Sequence, residues 1–218
     1  IFWGYEHYKI AGIMRRAQGL PSFLKSPLYA LKSKDNRWGK LTYLKKSDPI
    51  CFYLGIRGLF NPTKIAETLG TQEEDVWRYI RELNEANGLR EGRFTPLPLL
   101  SFLEIKFYLL NQLLKDADMM SMHHGIELRT PFLDYKFVEY VAALPEKFKS
   151  RPAPSLGKKT RKPFFAAMAR NIVPDEIIFR GKKRGFTLPF ELWLDGEREK
   201  NDNWSRLWAL EVMRRFLK

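Results

Sequence analysis

An apolar run between residues 97 and 114 constrains the fold of this chain more than any other feature. Its polar interruptions include Glu104, Lys106, Asn111 and Gln112. A charged side chain at a bilayer centre costs about 3 kcal/mol, so the run favours a buried helix of a globular protein over a membrane span. Because apolar residues cover most of its circumference, we expect this helix to be the central packing element.

Helix start and stop signals precede this run. Asn61 stands at an N-cap position before a proline, and Gly70 follows nine residues after Asn61 as a stop signal. Thr71 and Glu74 then have capping-box spacing and open a second helix. The spacing predicts a helical hairpin at about residues 61–87.

The rest of the chain is also predicted to be helical. Helix patterns follow Asp134 and occur at residues 158–171 and 174–178 and over the final 20 residues, without period-2 strands or internal repeats. The stretch at about residues 150–157, which contains proline, serine and glycine, predicts a mobile loop. The fold class predicted for the 218 residues is therefore mainly α.

The chain is strongly basic, with 38 Lys and Arg against 25 Asp and Glu and a net charge of +13. Such a charge attracts phosphates, nucleic acid or an anionic surface. It is equally compatible with a piece of a larger protein whose remaining part is acidic. The charge alone does not separate these interpretations.

Cysteine content and the first residues indicate a cytoplasmic protein. Cys51 is the single cysteine, which excludes an internal disulfide and favours a reducing compartment. It stands in the apolar run 50–54, so we expect a buried side chain rather than a nucleophile. Residues 1–5 lack an initiator Met and a signal-peptide pattern, and we interpret them as a cut edge.

Two aspartates and two histidines between residues 116 and 124 invite a metal-site interpretation. On a helix, Asp116 and Asp118 point about 200° apart, and His123 and His124 diverge as well. A site built from all four is disfavoured, and we predict no metal ligand. The alternative is that the aspartates cap or terminate helices.

Glu127 and Arg129 are alternate residues of a predicted extended segment. We expect them to form buried ion pairs with neighbours, since a buried charge needs a partner.

A basic, glycine-containing segment follows at residues 179–190. Arg180, Lys182, Lys183 and Arg184 stand beside Gly181 and Gly185, and phenylalanines bracket the run. Glycine lets backbone N–H groups approach phosphate oxygens, so the segment is either a phosphate-handling loop or a solvated charge run. The other basic run, 158–162, is predicted to be a helix start without a functional role.

These segments resemble the synthetase domain of class B, glutamine-hydrolysing asparagine synthetases. Asp118 through Asp134 follows the family pattern Asp-x-Met-Ser-Met-x-x-x-hydrophobic-Glu-x-Arg-x-Pro-Phe-Leu-Asp. Residues 183–189 resemble the later Arg-x-Lys-x-Gly-Phe-x-x-Pro loop, with the arginine displaced to Arg180, and residues 1–5 resemble Leu-Phe-Gly-Gly-Tyr. The resemblance implies that residues 1–218 are the helical C-terminal part of an adenine-nucleotide-hydrolase-like α/β domain, whose sheet and nucleotide loop lie outside this chain.

The resemblance also implies an activity. Family members join aspartate to ATP with Mg²⁺, releasing pyrophosphate, and ammonia from a glutaminase domain then displaces AMP to give asparagine. By motif position, Lys183 is the catalytic lysine that neutralises the phosphates. Its neighbours Arg180, Lys182, Arg184 and Gly185 would bind phosphate or substrate.

Asp118, Glu127 and Arg129 carry over as residues of the site floor that orient helices around the nucleotide and aspartate. The chain differs from the family pattern at one point that bears on the acceptor substrate. Many members have Lys-x-Asp-Arg where this chain has Asp116-Ala117-Asp118-Met119. The acceptor is therefore aspartate or, in a divergent homologue, another carboxylate.

The family's Ser-Gly-Gly-x-Asp-Ser loop and N-terminal cysteine are absent from the 218 residues. We expect ATP, aspartate and glutamine-derived ammonia to be handled together with upstream domains, and the isolated chain to be inactive and to bind no cofactor. A homodimer is compatible with the sequence, and no membrane partner is predicted. A basic helical nucleic-acid-binding module is the alternative, disfavoured because no reading motif accompanies the charge.

Overall fold

The computed structural model describes residue 3 and residues 6–25, 38–90, 92, 94–150, 162–179, 193 and 204–216. Every regular element within these ranges is a helix, which confirms the mainly α fold. The chain divides into two compact units, one of Ile1–Arg15 with Glu91–Lys183 and the other of Arg16–Arg90 with Arg184–Lys218.

Helices of both units are numbered in chain order. The first part of the chain contains α1 (Glu6–Gly19), 3₁₀ helices at Ser22–Lys25 and Gly39–Lys45, α2 (Pro49–Arg57), α3 (Pro62–Leu69) and α4 (Glu73–Ala86). There follow α5 (Pro96–Leu103), a π-helix (Glu104–Leu113), α6 (Leu114–His123), a 3₁₀ helix (Pro131–Leu133), α7 (Tyr135–Ala143), α8 (Glu146–Ser150), α9 (Pro163–Ala169), α10 (Asp175–Ile178) and α11 (Trp204–Phe216).

Helix α2 is the core of the second unit, since seven of its nine residues are buried. Asp48 caps its start, where the Oδ1 atom accepts a hydrogen bond from the Cys51 N–H at 2.7 Å. Gly55 lets the preceding 3₁₀ helix approach, because a Cβ there would lie 2.8 Å from Cδ2 of Leu44. Cys51 is fully buried, and this burial raises the pKa of its thiol. The prediction that the Cys51 side chain is buried is confirmed.

Helices α3 and α4 contact each other across a tight connection. Asn61 caps α3, its side chain accepting a first-turn N–H at 2.7 Å, and Gly70 ends it with φ of 67°. The Thr71 N–H bonds back to a carbonyl of α3 at 3.0 Å, so Thr71 belongs to the end of α3. The predicted Thr71 cap of α4 is therefore wrong by one residue. Gln72 is the N-cap, and its N–H donates to Asp75 at 3.1 Å.

A buried lysine holds the end of α7 in the first unit. The Lys149 ammonium donates hydrogen bonds to the carbonyls of Val141, at 3.1 Å, and Ala142, at 3.2 Å. The same nitrogen lies 4.6 Å from the ring centroid of Trp3. Lys149 thereby satisfies carbonyls that the helix end leaves without a partner. Burial lowers the pKa of this ammonium group.

The long apolar helix is packed at one end only. Leu99, Leu100 and Leu103 of α5 are buried, whereas none of residues 105–140, all of them described, is buried. We call residues 105–140 the uncovered segment. The prediction of a central packing element is wrong beyond Leu103. Apolar periodicity shows that a helix face must be buried against another element, but it does not show that residues of the same chain bury it.

The same helix has the dimensions of a membrane span. Pro96–His123, 28 residues long, is apolar enough to cross a bilayer by length and composition alone, and 17% of its apolar window is buried.

Candidate functional site

The basic loop lies outside the described residues. This applies to Lys183 and to Arg180, Lys182, Arg184 and Gly185. Residues 151–157, most of the predicted mobile loop, are outside them as well. Asp118, Glu127 and Arg129 are described, so the geometry of the site is that of its predicted floor.

Asp118 lies in the middle of α6. Helical backbone continues from the π-helix through Leu113, whose φ and ψ are −60° and −43°, so α6 has no free N-terminus for an aspartate to cap. Asp116 and Asp118 are both exposed on this helix. The predicted capping role of the two aspartates is therefore wrong, and their carboxylates face solvent in the uncovered segment.

A left-handed turn reverses the chain after α6. Gly125 has a φ of 66°, and the Ile126 N–H donates to the carbonyl of Ser121 at 2.9 Å, a helix-ending pattern that glycine permits. Leu128 and Thr130, which follow the turn, lie beside the helix. This turn places the second half of the family-like pattern next to its first half.

The reversal creates a groove between α6 and the returning segment. Its volume is about 350 Å³, and its lining consists of Leu114, Lys115, Ala117, Asp118, Leu128 and Thr130. The groove combines apolar walls with one cation, one carboxylate and one hydroxyl. Such a lining suits a small charged molecule or the polar end of a larger one.

Sequence reasoning did not find this groove, nor the part of Thr130 in it. Gly125, directly after a helical pattern, is the signal that could have indicated the reversal.

Glu127 and Arg129 pair with each other on the returning segment. The Arg129 Nη2 atom lies 2.9 Å from the Glu127 Oε2 atom, and the side chains are 82% and 69% exposed, respectively. The expectation of buried pairs is wrong. The two side chains reach each other across one intervening residue, while neighbouring elements leave them open. An exposed pair of this kind contributes about 0–1 kcal/mol to stability.

Asp134, the last residue of the family-like pattern, fixes the start of α7. Its Oδ1 atom accepts hydrogen bonds from the N–H groups of Lys136, at 3.0 Å, and Phe137, at 3.2 Å. Phe132 lies in tilted and edge-on contact with Phe137 and Phe165, with ring centroids 5.9 and 5.3 Å apart. These contacts hold the end of the returning segment.

The two histidines at the end of α6 stand edge to face. The ring centroids of His123 and His124 are 5.0 Å apart. Among the described residues, no group of three or more His, Cys, Asp or Glu side chains is placed to hold a metal ion.

Comparison with known proteins adds to this geometry. The model for the family described as asparagine synthase matches residues 1–206. The chain belongs to the asparagine synthase family. The match includes the groove, the paired Glu127 and Arg129, and the basic loop.

Several relatives carry the name of glutamine-hydrolyzing asparagine synthetase. Asparagine synthetase 1 of Bacillus subtilis (strain 168) is 24% identical over 200 residues, which are 90% of this chain and 30% of the relative. The Bos taurus protein is 32% identical and the Homo sapiens protein 31% identical, each over 91 residues that cover 42% of this chain and 14% of the relative. The chain thus spans less than a third of the length of these relatives. No solved structure matches it.

Proposed function

We propose that this chain forms the helical part of an ATP-dependent amide-forming site. The observation that supports the proposal is the fold of residues 118–134. In a chain matched to the asparagine synthase family, this 17-residue pattern contributes Asp118, Leu128 and Thr130 to a groove that Lys115 also lines. The nucleotide-binding loop would come from a part of the protein outside these 218 residues.

The proposed reaction has two steps. A carboxylate oxygen of aspartate attacks the α-phosphorus of ATP, the bond to the bridging oxygen breaks, and pyrophosphate leaves. Ammonia then attacks the acyl carbon, and AMP departs with the former carboxylate oxygen. In the first step Lys183 would neutralise the charge that develops as the bridge breaks, a demand met by positioned cations. No step is assigned to a metal held by the described residues.

The neighbouring residues would support this lysine. Arg180, Lys182 and Arg184 would keep the loop electropositive and bind phosphate, while Gly185 would let the loop close over the nucleotide. Asp118, Glu127 and Arg129 would form the floor. The exposure of the Glu127–Arg129 pair supports this role, because both side chains remain available to a ligand or to a second polypeptide segment.

A lysine variant tests the proposal. In a longer protein that carries these residues together with a Ser-Gly-Gly-x-Asp-Ser loop, Lys183→Ala should lower aspartate-dependent pyrophosphate release about 100-fold or more. Lys159→Ala, in the other basic run, serves as the matched control and should leave the rate unchanged. Retained activity in the Lys183 variant would remove this lysine from the mechanism.

A second candidate differs only in the acceptor. Asp116 and Met119 stand where many family members carry the lysine and the arginine of Lys-x-Asp-Arg, on either side of the groove residues Ala117 and Asp118. These changes favour an acceptor carboxylate other than aspartate. Pyrophosphate release measured with glutamate, succinate and a peptide that ends in aspartate would separate the two candidates, since the divergent enzyme would respond to one of these and not to free aspartate.

A further inference from the structure

The end of α6 concentrates the methionine and histidine residues of this chain. Three of the six methionines and two of the three histidines lie within residues 119–124. Met119, Met120 and Met122 are 68%, 69% and 56% exposed, and both histidines are exposed as well. Three thioethers and two imidazoles that face solvent therefore share about two helical turns.

Helix geometry brings Met120 to both histidines. Residues three and four apart lie on one face of a helix, and Met120 precedes His123 by three residues and His124 by four. The two imidazole rings also meet each other, with centroids 5.0 Å apart, so their predicted divergence is corrected. His124 is the C-cap of α6, and its ψ of 10° departs from helical values. Its N–H donates to the Ser121 carbonyl at 3.0 Å, which fixes the backbone at this end of the helix.

The donor atoms at this helix end select a soft metal ion. A metal–nitrogen bond is about 2 Å long, so two rings with centroids 5.0 Å apart can bind one ion after rotation of their side chains. Zinc takes thiolate, imidazole and carboxylate ligands, and in the part of the chain that the structure describes no carboxylate or thiolate joins the two histidines as a third ligand. The Met120 thioether supplies the third donor. Thioethers favour cuprous copper, whereas magnesium and calcium take oxygen ligands.

We propose that Met120, His123 and His124 form a binding site for cuprous copper, to which Met119, four residues before His123, adds a second thioether. Within the described ranges, no hydrogen bond or ion pair engages these four side chains. The sequence disfavoured a metal site built from two aspartates and two histidines, and the copper site contains no aspartate. It is independent of the proposed amide-forming reaction, because it uses neither Lys183 nor a residue that lines the groove.

Competition with bicinchoninate, a coloured chelator of cuprous copper, tests the site in the 218-residue chain. Under argon and with ascorbate present, the chain should withdraw one copper ion per molecule from the chelator. Met120→Leu removes the sulfur at nearly constant volume and should lower the affinity at least about 10-fold, and the double variant His123→Asn, His124→Asn should abolish binding. Met168→Leu, on α9 and 43% exposed, is the matched control and should leave the affinity unchanged. An unchanged affinity in the Met120 variant would overturn the proposal.

NMR spectra of the methionine methyl groups give a second readout without a competing chelator. Cuprous copper has a closed electron shell and is diamagnetic, so the signals stay sharp. The methyl signals of Met119 and Met120 should shift until one equivalent has been added, whereas those of Met14 and Met168 should stay in place. Equal shifts at all four methionines would indicate an adventitious ion only. Zinc added in excess should not restore the copper-free spectrum, and its restoration would assign the site to the imidazoles alone and overturn the proposal.

Discussion

Replacing Asn84 with alanine should be among the most damaging single changes in the second unit. Asn84 is 7% exposed, and its Oδ1 atom accepts a hydrogen bond from the Ile50 N–H at 3.2 Å. Its Nδ2 atom donates to Asp48 Oδ1 at 3.0 Å and to the Ile80 carbonyl at 2.9 Å. Ile50 lies in the first turn of α2, where the helix itself offers no acceptor. The alanine variant therefore leaves a buried donor without a partner.

The expected loss follows from that donor. An unsatisfied buried N–H costs about 1–3 kcal/mol, and each lost hydrogen bond contributes on the order of 1 kcal/mol, so we expect a decrease of about 2–4 kcal/mol in the free energy of unfolding. Asn87→Ala, at the residue that caps the C-terminus of the same helix, is the matched control. Asn87 is half-buried and makes a bond to the Leu83 carbonyl at 2.7 Å, so its loss should cost about 1 kcal/mol or less.

Urea unfolding followed by far-UV circular dichroism gives the two free energies. Because the chain has two compact units, amide hydrogen exchange at Ile50 should be measured as well, since it reports opening of the second unit directly. The Asn84 variant should lose protection at Ile50, and the Asn87 variant should keep it. Equal losses in the two variants would refute the account of this core.

Three further predictions concern caps and buried groups. Asn61→Ala should lower the free energy of unfolding by about 1 kcal/mol in urea titrations, whereas Asn61→Asp should retain most of it, because aspartate can accept the same N–H. Burial raises the pKa of Cys51, so the unfolded chain loses the thiol proton above about pH 8.5 while the folded chain keeps it. Stability should therefore begin to fall above about pH 8.5 and continue to fall as the pH rises further, and the Cys51→Ala variant should show a smaller fall. Lys149→Met removes two hydrogen bonds to α7 carbonyls and should cost about 1–3 kcal/mol by thermal melting, and an unchanged midpoint would contradict the buried contacts.

Local signals in the sequence predicted much of the fold because they act over a few residues. Asn61 and Gly70 start and end α3 as expected, and Asp134 starts α7. The Thr71 prediction missed by one residue because Thr71 is already used to close α3. A capping pattern in the sequence does not determine which of two adjacent helices the residue caps.

The site was less predictable, because its surroundings depend on contacts made over long distances. The Glu127–Arg129 pair is exposed, although the need to pair buried charges predicted burial. Residues 105–114 were predicted to belong to the core because they are apolar, yet none of them is buried, since burial depends on what packs against them. Gly125 indicates a helix end in the sequence. The groove, however, depends on how α6 lies beside Leu128 and Thr130, and the sequence alone does not determine that arrangement.

Exchange between ATP and labelled pyrophosphate tests the central claim most directly. The 218-residue chain should show no aspartate-dependent exchange, because the nucleotide loop is not among its residues. A longer protein that joins these residues to a Ser-Gly-Gly-x-Asp-Ser loop should show it, and should lose it on Lys183→Ala. Exchange catalysed by the 218 residues alone would contradict the conclusion that this chain supplies one part of a divided site.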